Sequence, residues 1–197
     1  MSGIPRSPED ELIRRIRASD LNERQKGMIV HLVLKVLMYD RKTGLLNEYG
    51  LNREFNAIRP KVDNGTIPYV AIVYGDLDRF KQTQDKPGFG YAWGDLAIVK
   101  SAEVLKASVR PIDIVARVHG DEYVLGLLGG RDLSVVDVCD RVQRGISRLE
   151  IKRGDASGRI TMTCGVANYP NDGQLDDLLH LSSERMKAIK RERKSSK

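Results

Sequence analysis

Residues 116–125 read ARVHGDEYVL, and the fold turns on them. IDIVARV before the tip and EYVLGLL after it are rich in β-branched residues, the pattern of two strands. His119-Gly120-Asp121 joins them as a hairpin, and its tip carries two adjacent carboxylates, Asp121 and Glu122. Like charges side by side repel, and each raises its neighbour's proton affinity. Taken alone, such a pair reads as a solvated turn.

The chain upstream supplies a second acidic end. IPYVAIVYGDLD contains a short, dense β run over 69–74, of the buried type, and ends in Asp76 and Asp78. A loop rich in glycine, proline and aromatic residues follows, then a predicted helix over 95–109. Downstream of the hairpin come a helix over 134–149, the strand RITMTCGVANY and a helix over 175–191. Before the first strand, Asn47 is placed to cap a helix with Leu51, Phe55 and Ile58 on one face. Without its first and last helices this order is β-α-β-β-α-β. The fold class is therefore α+β, a ferredoxin-like split βαβ with an antiparallel sheet and helices packed on one face. In that sheet the first and third strands are central. The end of the first and the tip of the neighbouring hairpin then gather Asp76, Asp78, Asp121 and Glu122. A cation relieves their repulsion, and carboxylate oxygens suit hard Mg²⁺ or Mn²⁺. Such ions clamp an in-line phosphoryl displacement.

The 197 residues suffice for one ordinary domain and an appendage. The division falls between a helical arm, residues 1–39, and a domain, residues 40–197. Residues 8–39 read as helix, with Ser7 as a candidate cap and Gly44 as the break. The segment GMIVHLVLKVLMYD is apolar on most faces, which suits either self-association or packing back on the domain. Its apolar run from Met28 to Met38 is interrupted by His31 and Lys35 and is too short to span a bilayer. MSGIPRSPED lacks the apolar core of a secretory signal. Cys139 and Cys164 have no metal-binding spacing and read as buried thiols of a reducing compartment, so the expected location is cytoplasmic. The net charge of +6 draws anions, and much of it lies in the tail RMKAIKRERKSSK. Nucleic-acid binding would fit that charge, but no recognition motif accompanies it.

Several stretches, in order, resemble the GGDEF-domain family, the diguanylate cyclases. HGDEY stands at the signature Gly-Gly-Asp/Glu-Glu-Phe. DRKTGLLNE resembles the family's entry, Asp-x-Leu-Thr-Gly-Leu-x-Asn-Arg. GDLDRFKQTQD resembles Asp-x-Asp-x-Phe-Lys-x-x-Asn-Asp, and FGYAWGD resembles Tyr-Gly-His-x-x-Gly-Asp. RPIDIVARVHGDEY keeps an Arg-x-x-Asp upstream of the signature, and TMTCGVANYP is similar to the late strand Thr-x-Ser-x-Gly-Val-Ala.

The resemblance implies condensation of two GTP into cyclic di-GMP with loss of pyrophosphate, by two facing domains that each hold one GTP. It makes Asp76, the carbonyl of Leu77, and Asp121 metal ligands, with Asp121 and Glu122 catalytic. Asp95 and Gln84 would select guanine. Phe80, Lys81, Lys190 and Lys194 would lie along the phosphates, which gives the basic tail a ligand. Arg110 and Asp113 would form an inhibitory product site, and the arm would join a homodimer.

The chain also departs from the pattern. His119 replaces the first signature glycine, Tyr123 stands for Phe, and Gln84 stands for Asn. Tyr91 occupies a common His position, Glu48 and Lys194 replace Arg, and the loop over 85–90 is longer than usual. Three readings remain open here. They are an active cyclase, an inactive module that binds cyclic di-GMP or GTP as an effector, and a cyclase of different base preference.

Overall fold

The computed structural model describes residues 8–130 and 134–195. The chain forms two compact units, divided between Tyr39 and Asp40.

The first unit holds α1 (Pro8–Arg17) and α2 (Glu23–Leu37). The single helix expected over 8–39 is thus broken. Ser19 Oγ donates to the Ile16 carbonyl at 2.6 Å and closes α1. Asn22 then opens α2 with a capping box, its side chain accepting from Gln25 N while Gln25 Oε1 accepts from Asn22 N. The second helix ends at Leu37, before Gly44. Ser7 lies outside the described residues. No helix among the described residues is long and apolar enough to cross a membrane.

In the second unit α3 (Glu48–Asp63) starts on Asn47, whose side chain accepts from Gly50 N at 2.9 Å. The other elements are β1 (Val70–Leu77), α4 (Phe80–Gln84), α5 (Gly90–Ala107), β2 (Ile114–His119), β3 (Glu122–Leu128), α6 (Val135–Ser147), β4 (Ile151–Arg153), β5 (Ala156–Gly158), β6 (Met162–Tyr169) and α7 (Leu175–Ser195). The main sheet runs β2-β3-β1-β6, antiparallel throughout, so β1 and β3 are central. The hairpin β4-β5 and the short helix α4 are additions to the expected order. β1 also runs past Tyr74 to Leu77, which puts Asp76 inside the ladder.

Helices cover both faces of the sheet, because alternate strand residues point to opposite sides. Ala71, Val73, Leu125 and Leu127 face α5 and α6 beside Trp93 and Ile146. Val70, Ile72, Val124 and Ala167 face α3 and α7 beside Leu51, Phe55 and Leu178. The crossover helices α5 and α6 alone keep the one-sided arrangement expected from the sequence. Trp93 is fully buried and donates from Nε1 to the Ile151 carbonyl at 2.9 Å, which ties the small hairpin to the core. Burying a ring of this size contributes on the order of 2–3 kcal/mol.

A glycine sets how closely α7 approaches the sheet. A Cβ on Gly165 of β6 would lie 2.1 Å from the Ser182 carbonyl oxygen and 2.4 Å from Met186 N. With hydrogen there instead, the α7 backbone lies directly on β6. Ser182, Met186 and Lys190 follow at intervals of four, so Lys190 continues the face that α7 presents to the strand ends.

Candidate active site

Asp76 stands at the end of β1, in register with Glu122 on β3 and with Thr163 on β6. Asp76 and Glu122 share the α3/α7 face with Ile72, Tyr74 and Val124, by the same alternation. Glu122 Oε2 accepts from the Tyr74 hydroxyl at 2.9 Å. Burial and the bond to Glu122 push the Tyr74 hydroxyl well above its ordinary pKa, so it stays a donor.

Asp121 follows Gly120, whose φ of 41° suits glycine, at a tip where β2 bulges between Arg117 and His119. Its carbonyl accepts from Leu77 N at 3.3 Å, which joins the tip to the end of β1. Its carboxyl pKa is raised, chiefly by burial and then by the charge of Asp76, with Lys190 opposing. Asp78 turns toward β6 instead. Thr163 and Thr161 donate to its two oxygens, each at 2.7 Å. Lys190 of α7 donates to Asp76 and lies 3.3 Å from Asp78, so an ammonium bridges the two acids. The tip is braced by Arg117, which reaches both the Gly120 carbonyl and Asp40. His119 is exposed beside it.

These donors fit a hard divalent cation. They are carboxylate and carbonyl oxygens at one strand end, where the charge of Asp76 adds to burial in raising the Asp121 carboxyl. Among the described residues no three His, Cys, Asp or Glu side chains converge on one point, so the four acids expected to gather do not: Asp78 turns to Thr161 and Thr163 and Glu122 to Tyr74. A cation held here would take further ligands from its substrate or from water.

A cleft of about 1320 Å³ opens beside Asp78, lined by Arg79, Lys86, Arg159, Lys190, Arg193 and Lys194 among others. Lys190 and Lys194 thus share one basic cleft. Arg193 Nη1 donates to Thr163 Oγ1 at 3.0 Å across it. Phe80 is buried in α4 and Lys81 follows it in the same short turn. Arg79, just before, holds φ at 54°, a left-handed angle uncommon outside glycine.

Gln84 lies over Gly94, the residue before Asp95, where α4 meets α5. Gly94 leaves room for the Gln84 carboxamide, since a Cβ there would lie 2.9 Å from Gln84 Nε2 and 3.1 Å from Phe80 Cζ. Asp95 pairs with Lys42. Neither Lys42, which stands where the entry pattern has Leu, nor Arg117 carries a local sequence signal of its role. Arg110 and Asp113 sit apart, on the turn before β2. Arg110 grips Asp113 through Nε at 3.1 Å and Nη2 at 3.0 Å, and its guanidinium pKa is raised by that bond. Cys139 and Cys164 are free thiols. Cys164 is buried, and its contact with Cys139 and that burial raise its thiol pKa.

Residues 37–196 match the family described as diguanylate cyclase, GGDEF domain. The bifunctional diguanylate cyclase/cyclic di-GMP phosphodiesterase MucR of Pseudomonas aeruginosa is 33% identical over 115 residues, 58% of this chain and 16% of that protein. The probable diguanylate cyclase DgcJ of Escherichia coli is 27% identical over 158 residues, 79% of this chain and 30% of that protein. The chain therefore spans less than a third of either relative. Among solved structures, a sensory box/GGDEF family protein from Caulobacter crescentus superposes with a TM-score of 0.71 at 25% identity, over 79% of this chain and 99% of that one. With a split βαβ sheet, acids at its central strand ends and a match over most of its length, the chain belongs to the GGDEF-domain family of diguanylate cyclases.

Proposed function

We propose that this chain condenses two GTP into cyclic di-GMP and pyrophosphate, as a homodimer whose two domains each hold one nucleotide. The observation that carries the reading is the alignment of Asp76 with Glu122 beside the raised carboxyl of Asp121. Asp76, Asp121 and the carbonyl of Leu77 would hold Mg²⁺ or Mn²⁺. When bound, the ion lowers a hydroxyl's pKa and offsets charge on the phosphates.

The chain's own residues do the rest. Asp121, at the tip beside the attacking 3′-hydroxyl, helps take its proton. The 3′-oxygen bonds to the α-phosphorus of the facing nucleotide. The bond to the bridging oxygen breaks, and pyrophosphate leaves with the electron pair. A second such step closes the ring. Glu122, fixed by the Tyr74 hydroxyl, completes the acidic cluster. Lys190 and Lys194 hold the terminal phosphates in the basic cleft, with Lys81 and the main chain at Phe80 nearby. Asp95 accepts from the guanine N1 and N2 donors, and Gln84 bonds another part of the base. A base that covers these polar groups without pairing them is penalised. Cyclic di-GMP binds back at Arg110 and Asp113 and inhibits. A GTP-consuming module with free thiols works in the cytoplasm.

The test is to incubate the chain with GTP and Mg²⁺, then Mn²⁺, at high protein concentration and identify products by mass. Cyclic di-GMP and pyrophosphate are expected. Asp121→Asn and Glu122→Gln should each lose product by roughly a thousandfold with unchanged melting. Intact GTP under every condition would overturn the proposal. One observation favours the runner-up, an inactive module that binds GTP or cyclic di-GMP: Lys190 already neutralises Asp76 and Asp78. Under that reading calorimetry finds binding where mass analysis finds no turnover.

A further inference from the structure

Lys42 and Asp95 form an ion pair across 53 positions of sequence. Their side chains are 38% and 54% exposed. Water screens a pair this open, so it adds little to stability and the fold does not account for it. Yet both partners are held in place. Lys42 sits in a tight turn where Asp40 Oδ1 accepts from Thr43 N at 2.8 Å and Thr43 Oγ1 at 2.6 Å. Asp40 N closes the same turn onto the Leu45 carbonyl at 2.8 Å. Asp95 stands on α5 next to Gly94, over which the Gln84 carboxamide lies.

The pair has a direction. One oxygen of Asp95 accepts from Lys42, and among the described residues no hydrogen bond reaches the other. Guanine presents, in order along one edge, an acceptor at O6 and donors at N1 and N2. A carboxylate that takes N1–H and N2–H turns one oxygen toward N1. An ammonium on that oxygen lies beside O6. Cation then carboxylate is thus the complement of acceptor then donors. Adenine reverses the first two positions. Its amino group would meet the ammonium, and its bare N1 would meet the carboxylate.

We infer that Lys42 is a specificity-determining residue that donates to O6 of the purine while Asp95 takes N1 and N2. This rests on the assignment of Asp95 and Gln84 to guanine, and it adds a charged donor which that assignment lacks. The ammonium need not leave Asp95 to do so, because its three donors serve both oxygens. A base without an acceptor at position 6 leaves that donor unmatched.

The experiment is calorimetric binding to the whole chain in Mg²⁺, using 3′-deoxynucleoside triphosphates that lack the attacking hydroxyl. The bases are guanine, hypoxanthine, 2-aminopurine and adenine. Hypoxanthine keeps O6 without the 2-amino group, and 2-aminopurine keeps the amino group without O6. Lys42→Met should weaken guanine and hypoxanthine about tenfold and change 2-aminopurine and adenine by less than about twofold. Lys42→Arg should keep the wild-type preference. Unchanged ratios in Lys42→Met, or equal weakening of all four bases, would overturn the inference. Wild-type protein that binds none of them would overturn this inference and the assignment of the guanine site together. Base-selective binding without turnover of GTP would overturn the cyclase reading alone.

Discussion

Arg117 grips both oxygens of Asp40 through Nη1, at 3.1 and 3.0 Å, while its Nε and Nη2 reach the Gly120 carbonyl at 2.9 and 2.7 Å. One guanidinium thus fastens the acidic hairpin tip to the point where the second unit begins. The two side chains are 12% and 22% exposed, so the pair is only weakly screened. Arg117→Met strips Asp40 of its cation and frees the tip. It should cost about 2–4 kcal/mol, read as a fall in melting temperature of roughly 5–10 °C. The same pair makes a pH prediction. Burial opposes ionisation of Asp40, but bonds from Thr43 and Arg117 outweigh it and hold the carboxyl below its ordinary range. A depressed pKa stabilises the fold above the unfolded value, near 3.9, and that stability is lost as pH falls through the folded one. The stability gap between wild type and Asp40→Asn should therefore close as pH drops below about 4. A gap independent of pH between 7 and 2, measured by denaturant melts, would contradict this account.

The arm makes a prediction about assembly. Met28, Leu32 and Val36 are spaced by four along α2 and are 61%, 54% and 60% exposed, and none of the helix's residues is buried. That is one continuous apolar stripe. A second copy covering it would bring two nucleotide-loaded domains together. Met28→Glu with Leu32→Glu should sediment as a monomer, and turnover should fall at least about tenfold while GTP affinity holds. A variant that remains dimeric, or that loses binding and turnover equally, would remove the stripe from this role.

The sequence carried the frame of the molecule in its local patterns. The β-branched runs around residues 116–125 and the dense run before Asp76 mark β1, β2 and β3, and Asn47 marks the start of α3. What escaped depended on contacts distant in sequence. Lys190 lies 114 positions from Asp76, and Arg117 lies 77 from Asp40, so neither pairing has a local signature. The thiol contact of Cys139 with Cys164 needs α6 folded onto β6. The break before α2 was different. Asn22 and Gln25 carry a capping box in plain view, but the apolar run after it reads as one unbroken helix. β4 and β5, at three residues each, are too short for alternation to register.

The resemblance implies that Arg110 and Asp113 both touch the product, and their exposures divide them. The Asp113 side chain is 2% exposed against 44% for Arg110. Asp113 Oδ2 accepts from Arg110 N at 2.9 Å and Nε at 3.1 Å, and Oδ1 accepts from Nη2 at 3.0 Å and Leu128 N at 3.0 Å. The carboxylate is therefore spent on closing the turn and presenting the guanidinium, whose planar fork suits a phosphate or a guanine. Arg110→Ala should raise the cyclic di-GMP concentration needed for half inhibition about tenfold or more, with little loss of stability. Asp113→Ala should relieve inhibition as well, but with about 2–3 kcal/mol of destabilisation, because Leu128 N and the Arg110 backbone lose a buried acceptor. Product titrations and melts of the two variants separate these roles. Equal melting of both with equal relief would mean that Asp113 meets the ligand directly, and inhibition unchanged in Arg110→Ala would remove the product site from this turn.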